Sequence, residues 1–263
     1  MHIIVLVKQV PNTTEVKLDP KTGNLIREGI ESIINPDDLH AVEAAVTLKD
    51  RMKGKVTTLS MGPPQAIDAL SETMGMGVDE SILLTDTAFA GADTWATSYT
   101  LGKAIEKIGD FDLILCGRQA IDGDTAQIGP QVAQFLGIPS VSYVFEIEEI
   151  RRKSLILKRR IEEGYEKVQV PCPALLTVIG EMNKPHYPHV GRLLDACRDR
   201  APIKIWNAAD IAVNTRDVGL EGSLTNVIQT FAPKSKRESE LLEGSTKDKV
   251  KALMGKLKEN KLV

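Results

Sequence analysis

Apolar runs and amphipathic stretches take turns along the first half of this chain, and that alternation limits its possible folds more than any single motif does. Residues 2–8, 55–61, 81–85 and 112–116 read as buried strands. Between them Leu39, Val42, Ala45, Val46 and Leu48 recur at helical spacing, as do Ala66, Leu70 and Met74, and residues 94–108 read as a third helix. Strand and helix in turn, joined by short links, predict an α/β architecture: an open, mostly parallel sheet with helices on both faces over roughly the first 140 residues.

The pattern then changes. Residues 142–150, 155–159 and 166–170 read as strands, with Glu163-Gly164 as a turn, and this antiparallel annex is expected to continue into residues 174–179. Pro185 and Pro188 hold the next segment extended, and a helix resumes at Arg192 with Leu193, Leu194 and Cys197 on one side. Near the start, Asp19-Pro20-Lys21-Thr22-Gly23 reads as the turn of a hairpin over residues 16–27, and Asn35 is placed to cap a helix with Pro36 in its first turn. Beyond Pro202 long apolar runs are few. Yet Val250, Leu253, Met254 and Leu257 form an amphipathic stripe that suits a partner surface.

Chemistry concentrates between the strand at 112–116 and the following helix. There Gly117, Arg118, Gln119, Ala120, Ile121 and Asp122 lead into Gly123, Asp124, Thr125, Ala126, Gln127 and Ile128, then Gly129-Pro130. A polar, glycine-containing turn from the carboxyl end of a strand into a helix is where open α/β sheets place ligands. The helix offers unpaired N–H groups to an anion, and the glycines allow close backbone approach. Arg118 suits a phosphate, whereas Asp122 and Asp124 suit ribose hydroxyls or loop N–H groups. The plainer alternative is a turn in which Asp and Thr are caps.

Other motifs carry less. Gly75-Met76-Gly77 lacks a third glycine at dinucleotide-fold spacing and precedes a strand, and no Walker sequence occurs. The loop after the first strand has no Ser-Gly-Gly run of the kind ATP pyrophosphatases use, which weighs against ATP cleavage. His186 and His189 lack neighbouring ligands, so a loop surface is their ordinary reading, and no nucleophile and base pair stands out. A net charge of -3 gives no basis for affinity to nucleic acid or an anionic membrane. The three cysteines show no paired spacing, the start reads as a strand and not a signal peptide, and no run is long enough to span a bilayer. A reducing cytoplasm fits these features best.

Five pieces occur in one order: Val7-Lys8-Gln9-Val10-Pro11, the Asn35-Pro36 helix start, Ser60-Met61-Gly62-Pro63, the Gly117 loop, and Asn183-Lys184-Pro185-His186-Tyr187. Together they resemble the beta subunit of electron transfer flavoprotein over nearly the whole chain. The resemblance implies a subunit without catalytic residues of its own, paired with an alpha subunit that carries FAD. It implies an adenine-nucleotide site at Leu6, Asn35, Pro36, Asp37, Asp38, Met61 and the loop from Gly117 to Ile128, with Asn35 and the backbone near Leu6 reading the adenine edge. It also implies a loop that docks on a partner flavin dehydrogenase through Asn183, Pro185, His186, Tyr187 and Val190. The expected organisation is then a nucleotide-binding core with its annex over residues 1–182, a recognition loop and helix over 183–199, and an extended C-terminal arm over 200–263 lying on the alpha subunit.

Two versions of such a protein differ in the crevice: ordinary members hold a structural AMP, and electron-bifurcating members hold the ADP part of a second FAD that accepts hydride from NADH and also serves ferredoxin. Asp37-Asp38 after Asn-Pro, the run from Gln9 to Pro20 and the form Asp122-Gly123-Asp124-Thr125-Ala126-Gln127 resemble the bifurcating group, which we favour. Val190 in place of a leucine, and Asp195-Ala196-Cys197-Arg198-Asp199 in place of a lysine-rich run, depart from the acyl-CoA dehydrogenase type of docking site and leave a hydroxy-acid dehydrogenase open. A stand-alone nucleotide-binding regulator and an adenine-nucleotide hydrolase or transferase are the alternatives from other classes.

Overall fold

A computed structural model describes residues 1–12, 31–198, 202–228 and 239–263. The hairpin expected over 16–27 lies outside the described residues. The first strand, β1 (His2–Leu6), leads to β2 (Gln9–Pro11), which pairs antiparallel with β3 (Ser32–Ile34) ahead of helix α1 (Pro36–Met52). Then come β4 (Lys55–Met61), α2 (Ile67–Gly75), β5 (Glu80–Leu84), α3 (Thr94–Ile108), β6 (Leu113–Gly117) and α4 (Ile128–Leu136). Three long strands follow, β7 (Ser140–Arg151), β8 (Ser154–Ile161) and β9 (Gly164–Pro171), before β10 (Ala174–Val178), helix α5 (Val190–Cys197) and β11 (Ile203–Trp206).

Among the described residues nine strands form one sheet, in the order β11-β5-β4-β1-β6-β10-β7-β8-β9. From β11 to β7 every neighbouring pair is parallel; only β7-β8 and β8-β9 are antiparallel. This is the α/β sheet read from the sequence, with two corrections. The strand at 174–178 does not extend the annex but inserts as β10 between β6 and β7, parallel to both. Second, part of the supposed core-poor arm belongs to the core: β11 pairs with β5 at the sheet edge, and Ala208, Ile211 and Val218 are buried.

Alternation along β1 explains the layers. Ile3 and Val5 face α1 and α2, packing with Ala41, Val42, Ala45 and Met74, whereas Ile4 and Leu6 face α3 and α4, packing with Leu101, Ile105 and Val132. Each Val, Leu, Ile or Met side chain so withdrawn from water contributes about 1.5–3 kcal/mol. The chain divides into two compact units, residues 1–227 and 228–263. The second holds α6 (Thr246–Glu259), started by a capping box in which Ser245 and Asp248 each accept from the other's backbone N–H. Among the described residues no helix is long and apolar enough to cross a membrane.

Candidate functional site

In the sheet β1 lies between β4 and β6, and the three strands end together at Leu6, Met61 and Gly117. The chain leaves β1 for β4 and β5 on one side, then returns through α3 to β6 on the other. The strand order therefore reverses between β1 and β6, and the crevice outside the carboxyl ends of these strands is the position that this topology reserves for a ligand.

The start of α1 forms one wall. Asn35 stands at the N-cap, but its side chain caps nothing. Its Nδ2 donates to the Gln119 carbonyl at 2.9 Å and its Oδ1 accepts from Ile121 N–H at 3.1 Å, so it braces a loop that is distant in sequence. Asp38, one turn on, is buried and accepts from two strand ends: Lys8 N–H at 2.9 Å and Gly117 N–H at 2.9 Å. Burial pushes its carboxyl up to about 7 against the pull of these bonds. Gly117 is required for this approach, since a Cβ there would lie 2.5 Å from Asp38 Oδ1 and 2.7 Å from Asp37 Cβ. Cys116, read as a core residue, is buried, and its thiol is raised by burial and by the Asp38 charge.

The loop from Arg118 to Gln127 forms the other wall. Arg118 Nε lies 3.6 Å from Asp37 Oδ2, and this buried nitrogen has no hydrogen-bond partner. Burial raises the Asp37 carboxyl, with Arg118, His40 and Gln119 N–H opposing. Lys8 Nζ bonds both oxygens of Asp122 at 2.7 Å, and Gln119 Nε2 donates to Asp124 Oδ1. Asp122 and Asp124, read as suited to ribose hydroxyls or loop N–H groups, are here paired with the side chains of Lys8 and Gln119. Asp124 and Ala126 sit at φ 52° and 54°, left-handed backbone that costs a non-glycine residue about 1–2 kcal/mol. Strain of this kind concentrates where a loop is shaped for function. Thr94 Oγ1 at the start of α3 donates to Gln127 Oε1 at 3.0 Å, fixing the far end. No side chain caps the first turn of α4, which begins at Ile128.

Lys8 entered the sequence reading as the end of the first strand and as part of the Val7-Lys8-Gln9-Val10-Pro11 piece, not as a site residue. Its position beside a strand end in an α/β fold was the available signal; its partner lies 114 residues away.

The segment from Asn183 to Val190 crosses α1 one turn further along. Asn183 Nδ2 donates to the His40 carbonyl at 2.9 Å, and its Oδ1 lies 3.0 Å from His40 Nδ1. His186 pairs with Glu43 through both its backbone N–H, at 3.2 Å, and its ring. His189 N–H donates to the Gly75 carbonyl at 2.9 Å, with Pro188 packed on Gly75. Pro185 is half-buried. The docking residues expected from sequence therefore divide: Asn183 and His186 hold the segment to α1, while Tyr187 is 94% exposed and Val190 69% exposed. No sequence pattern marked His40 and Glu43 as the braces.

Comparison with known proteins gives a consistent assignment. A family model described as the electron transfer flavoprotein domain matches residues 22–211. The electron transfer flavoprotein subunit beta of Thermoanaerobacterium thermosaccharolyticum is 49% identical over 263 residues, covering 100% of both chains. The caffeyl-CoA reductase-Etf complex subunit CarD of Acetobacterium woodii is 50% identical over 265 residues, again with 100% of both chains covered. An acryloyl-CoA reductase electron transfer subunit gamma from Anaerotignum propionicum is 39% identical over 269 residues, with 100% of both chains covered.

Proposed function

This chain belongs to the electron transfer flavoprotein family, and from that premise we propose that it is the beta subunit of a heterodimeric electron carrier that seats an adenine nucleotide in the crevice outside β1, β4 and β6. What carries the reading is the reversal of strand order between β1 and β6, with the braced loop from Gly117 to Gln127 standing at the reversal.

The residues present fit the adenosine and phosphate part of FAD. Arg118 keeps a buried Nε without a hydrogen-bond partner, and the first turn of α4 offers N–H groups that no side chain caps. Arg118 and these N–H groups would hold phosphate, while the loop backbone between Gln119 and Thr125 and the strand ends at Leu6 and Met61 would border ribose and base. The flavin, when bound, supplies the one- and two-electron chemistry. This chain's own work is to orient the nucleotide and shape its electrostatic surroundings.

In this reading the nucleotide is the ADP part of a second FAD, shared with an alpha subunit that carries the first. Bound there, that flavin would supply the chemistry that links NADH with ferredoxin and, by way of the alpha subunit, with a flavin dehydrogenase. Asp37-Asp38 and the Asp122 to Gln127 sequence support the second FAD over AMP. The names of two relatives, a caffeyl-CoA reductase-Etf complex subunit and an acryloyl-CoA reductase subunit, support an acyl-CoA type of dehydrogenase over a hydroxy-acid type. Tyr187 and Val190, exposed on a segment braced against α1, would meet that dehydrogenase. The complex works in the cytoplasm.

Cofactor content tests the proposal. Acid release and chromatography of the complex copurified with its alpha subunit should give two FAD per heterodimer and no AMP. One FAD with one AMP would make the protein a single-flavin carrier with a structural nucleotide. One FAD with no nucleotide would remove the crevice reading altogether.

A further inference from the structure

Asp38 would ordinarily be counted with the groups that touch a bound nucleotide, since it lies in the wall of the crevice. Its geometry points elsewhere. Both carboxyl oxygens face main-chain donors of the protein itself, Oδ2 toward Lys8 N–H and Oδ1 toward Gly117 N–H, each at 2.9 Å. The residue is 6% exposed. These two N–H groups belong to the exits of adjacent parallel strands, and in the register of the sheet Val5 is opposite Leu115. Past those exits the strands part, one toward β2 and the other into the loop, so no ladder hydrogen bond can join them there. A single carboxyl at the N-terminal turn of α1 does so instead, and the helix terminus favours its negative form.

We propose that Asp38 is a positioning residue: it sets the separation of the β1 and β6 exits, and so the placement of the Gly117 loop that receives the adenine nucleotide, without touching the nucleotide. This rests on the nucleotide reading above. Gly117 is the other half of the device, because any Cβ there would collide with Asp38 Oδ1 and Asp37 Cβ. Asn35 and Lys8 add tethers further along the loop, at Gln119, Ile121 and Asp122. Asp38 is the one that acts at its root.

The test is titration of the nucleotide-stripped complex, first with AMP. Asp38→Asn retains the size but has one acceptor oxygen, so one of the two N–H groups must face an amide NH2. AMP affinity should fall by about ten- to a hundredfold, the cost of one buried donor left unpaired, with the alpha-subunit FAD and subunit assembly unchanged. Adenosine, which has no phosphate to titrate, is the second probe. Ionised Asp38 accepts both N–H groups and the protonated form gives up one, so adenosine should bind more tightly as pH rises through about 7. The groups around this carboxyl are Asp37 and His40 on α1, Lys8 beyond β1, Cys116 on β6, and Arg118 and Asp122 on the loop. Any pH dependence that does not come from Asp38 would persist in Asp38→Asn, whereas the Asp38 contribution disappears there. AMP affinity within about twofold of wild type in Asp38→Asn, or an unchanged adenosine pH profile in that variant, overturns the assignment. Should the variant not assemble, a flat wild-type adenosine profile overturns it alone. Wild-type complex that takes up neither AMP nor adenosine overturns the crevice reading, and this inference with it.

Discussion

Folding carries the Asp38 carboxyl from an ordinary value of 3.8 to about 7, and this has a consequence for stability as well as for binding. Between those values the folded chain keeps a proton that the unfolded chain has released. Unfolding free energy therefore falls as pH rises: the contribution is complete below 3.8 and lost above about 7. Each unit of pH within the window is worth at most about 1.4 kcal/mol. Urea melts of wild type and Asp38→Asn should show wild type losing stability relative to the variant from about pH 4 to about pH 7. Parallel profiles would mean that the carboxyl is not held as its burial implies. Arg118 makes a second case at this scale. Its pairing with Asp37 at 3.6 Å means that a phosphate must share the guanidinium with a carboxylate. Arg118→Glu would set two acids against each other beside the crevice, and the complex should then purify with its beta-subunit nucleotide largely missing, as measured by acid release. Full retention would place Arg118 outside the site. The residue types at this site were legible in the sequence, but their partners were not. Asn35 read as a cap because Asn before Pro at a helix start usually is one; its actual partners are 84 and 86 residues away.

At the scale of elements, α1 serves two places at once. Its first turn carries Asn35 and Asp38 to the crevice, and its next turn carries His40 and Glu43 to the segment at 183–190. Separate substitutions should therefore separate the functions. Glu43→Ala frees His186 and loosens the segment, so electron exchange with the dehydrogenase should weaken while nucleotide content stays. Val190→Asp changes an exposed residue at no folding cost and should impair the same exchange with flavin content unchanged, as followed by stopped-flow reduction of the flavin; exchange at the wild-type rate would remove this segment from docking. Legibility at this scale followed hydrophobic periodicity. The helix expected over 94–108 is found at those bounds because its period is helical and Asp93 caps it, accepting from Ala96 N–H. The strand at 174–178 was visible as an apolar run, but such a run does not state its neighbours, and β10 proved parallel and central. β11 escaped notice: four residues, Ile-Lys-Ile-Trp, at a sheet edge, are too short to show a period.

At the scale of the molecule, the two compact units are unlike in how they are held together. The first buries both faces of a long sheet. In the second, α6 has no buried residue, and Val250, Leu253 and Met254 remain exposed along one stripe with Leu257 partly covered. Propensity and the Ser245-Asp248 capping box do not make up for that, since isolated helices of this length are marginal in water. A stripe at spacing 3, 4 and 7 on an otherwise charged helix is the pattern of an element completed by another surface. We expect that surface to be the alpha subunit, and the expectation separates cleanly from a purely internal role. Leu253→Asp places a charge in the middle of the stripe, where its burial in an apolar interface would cost several kcal/mol. If the alpha subunit covers α6, the heterodimer should dissociate at least about tenfold more readily in sedimentation or dilution experiments, while thermal unfolding of the isolated chain stays where it was. If the chain covers its own helix, the isolated chain should instead melt at a lower temperature, with subunit affinity little altered.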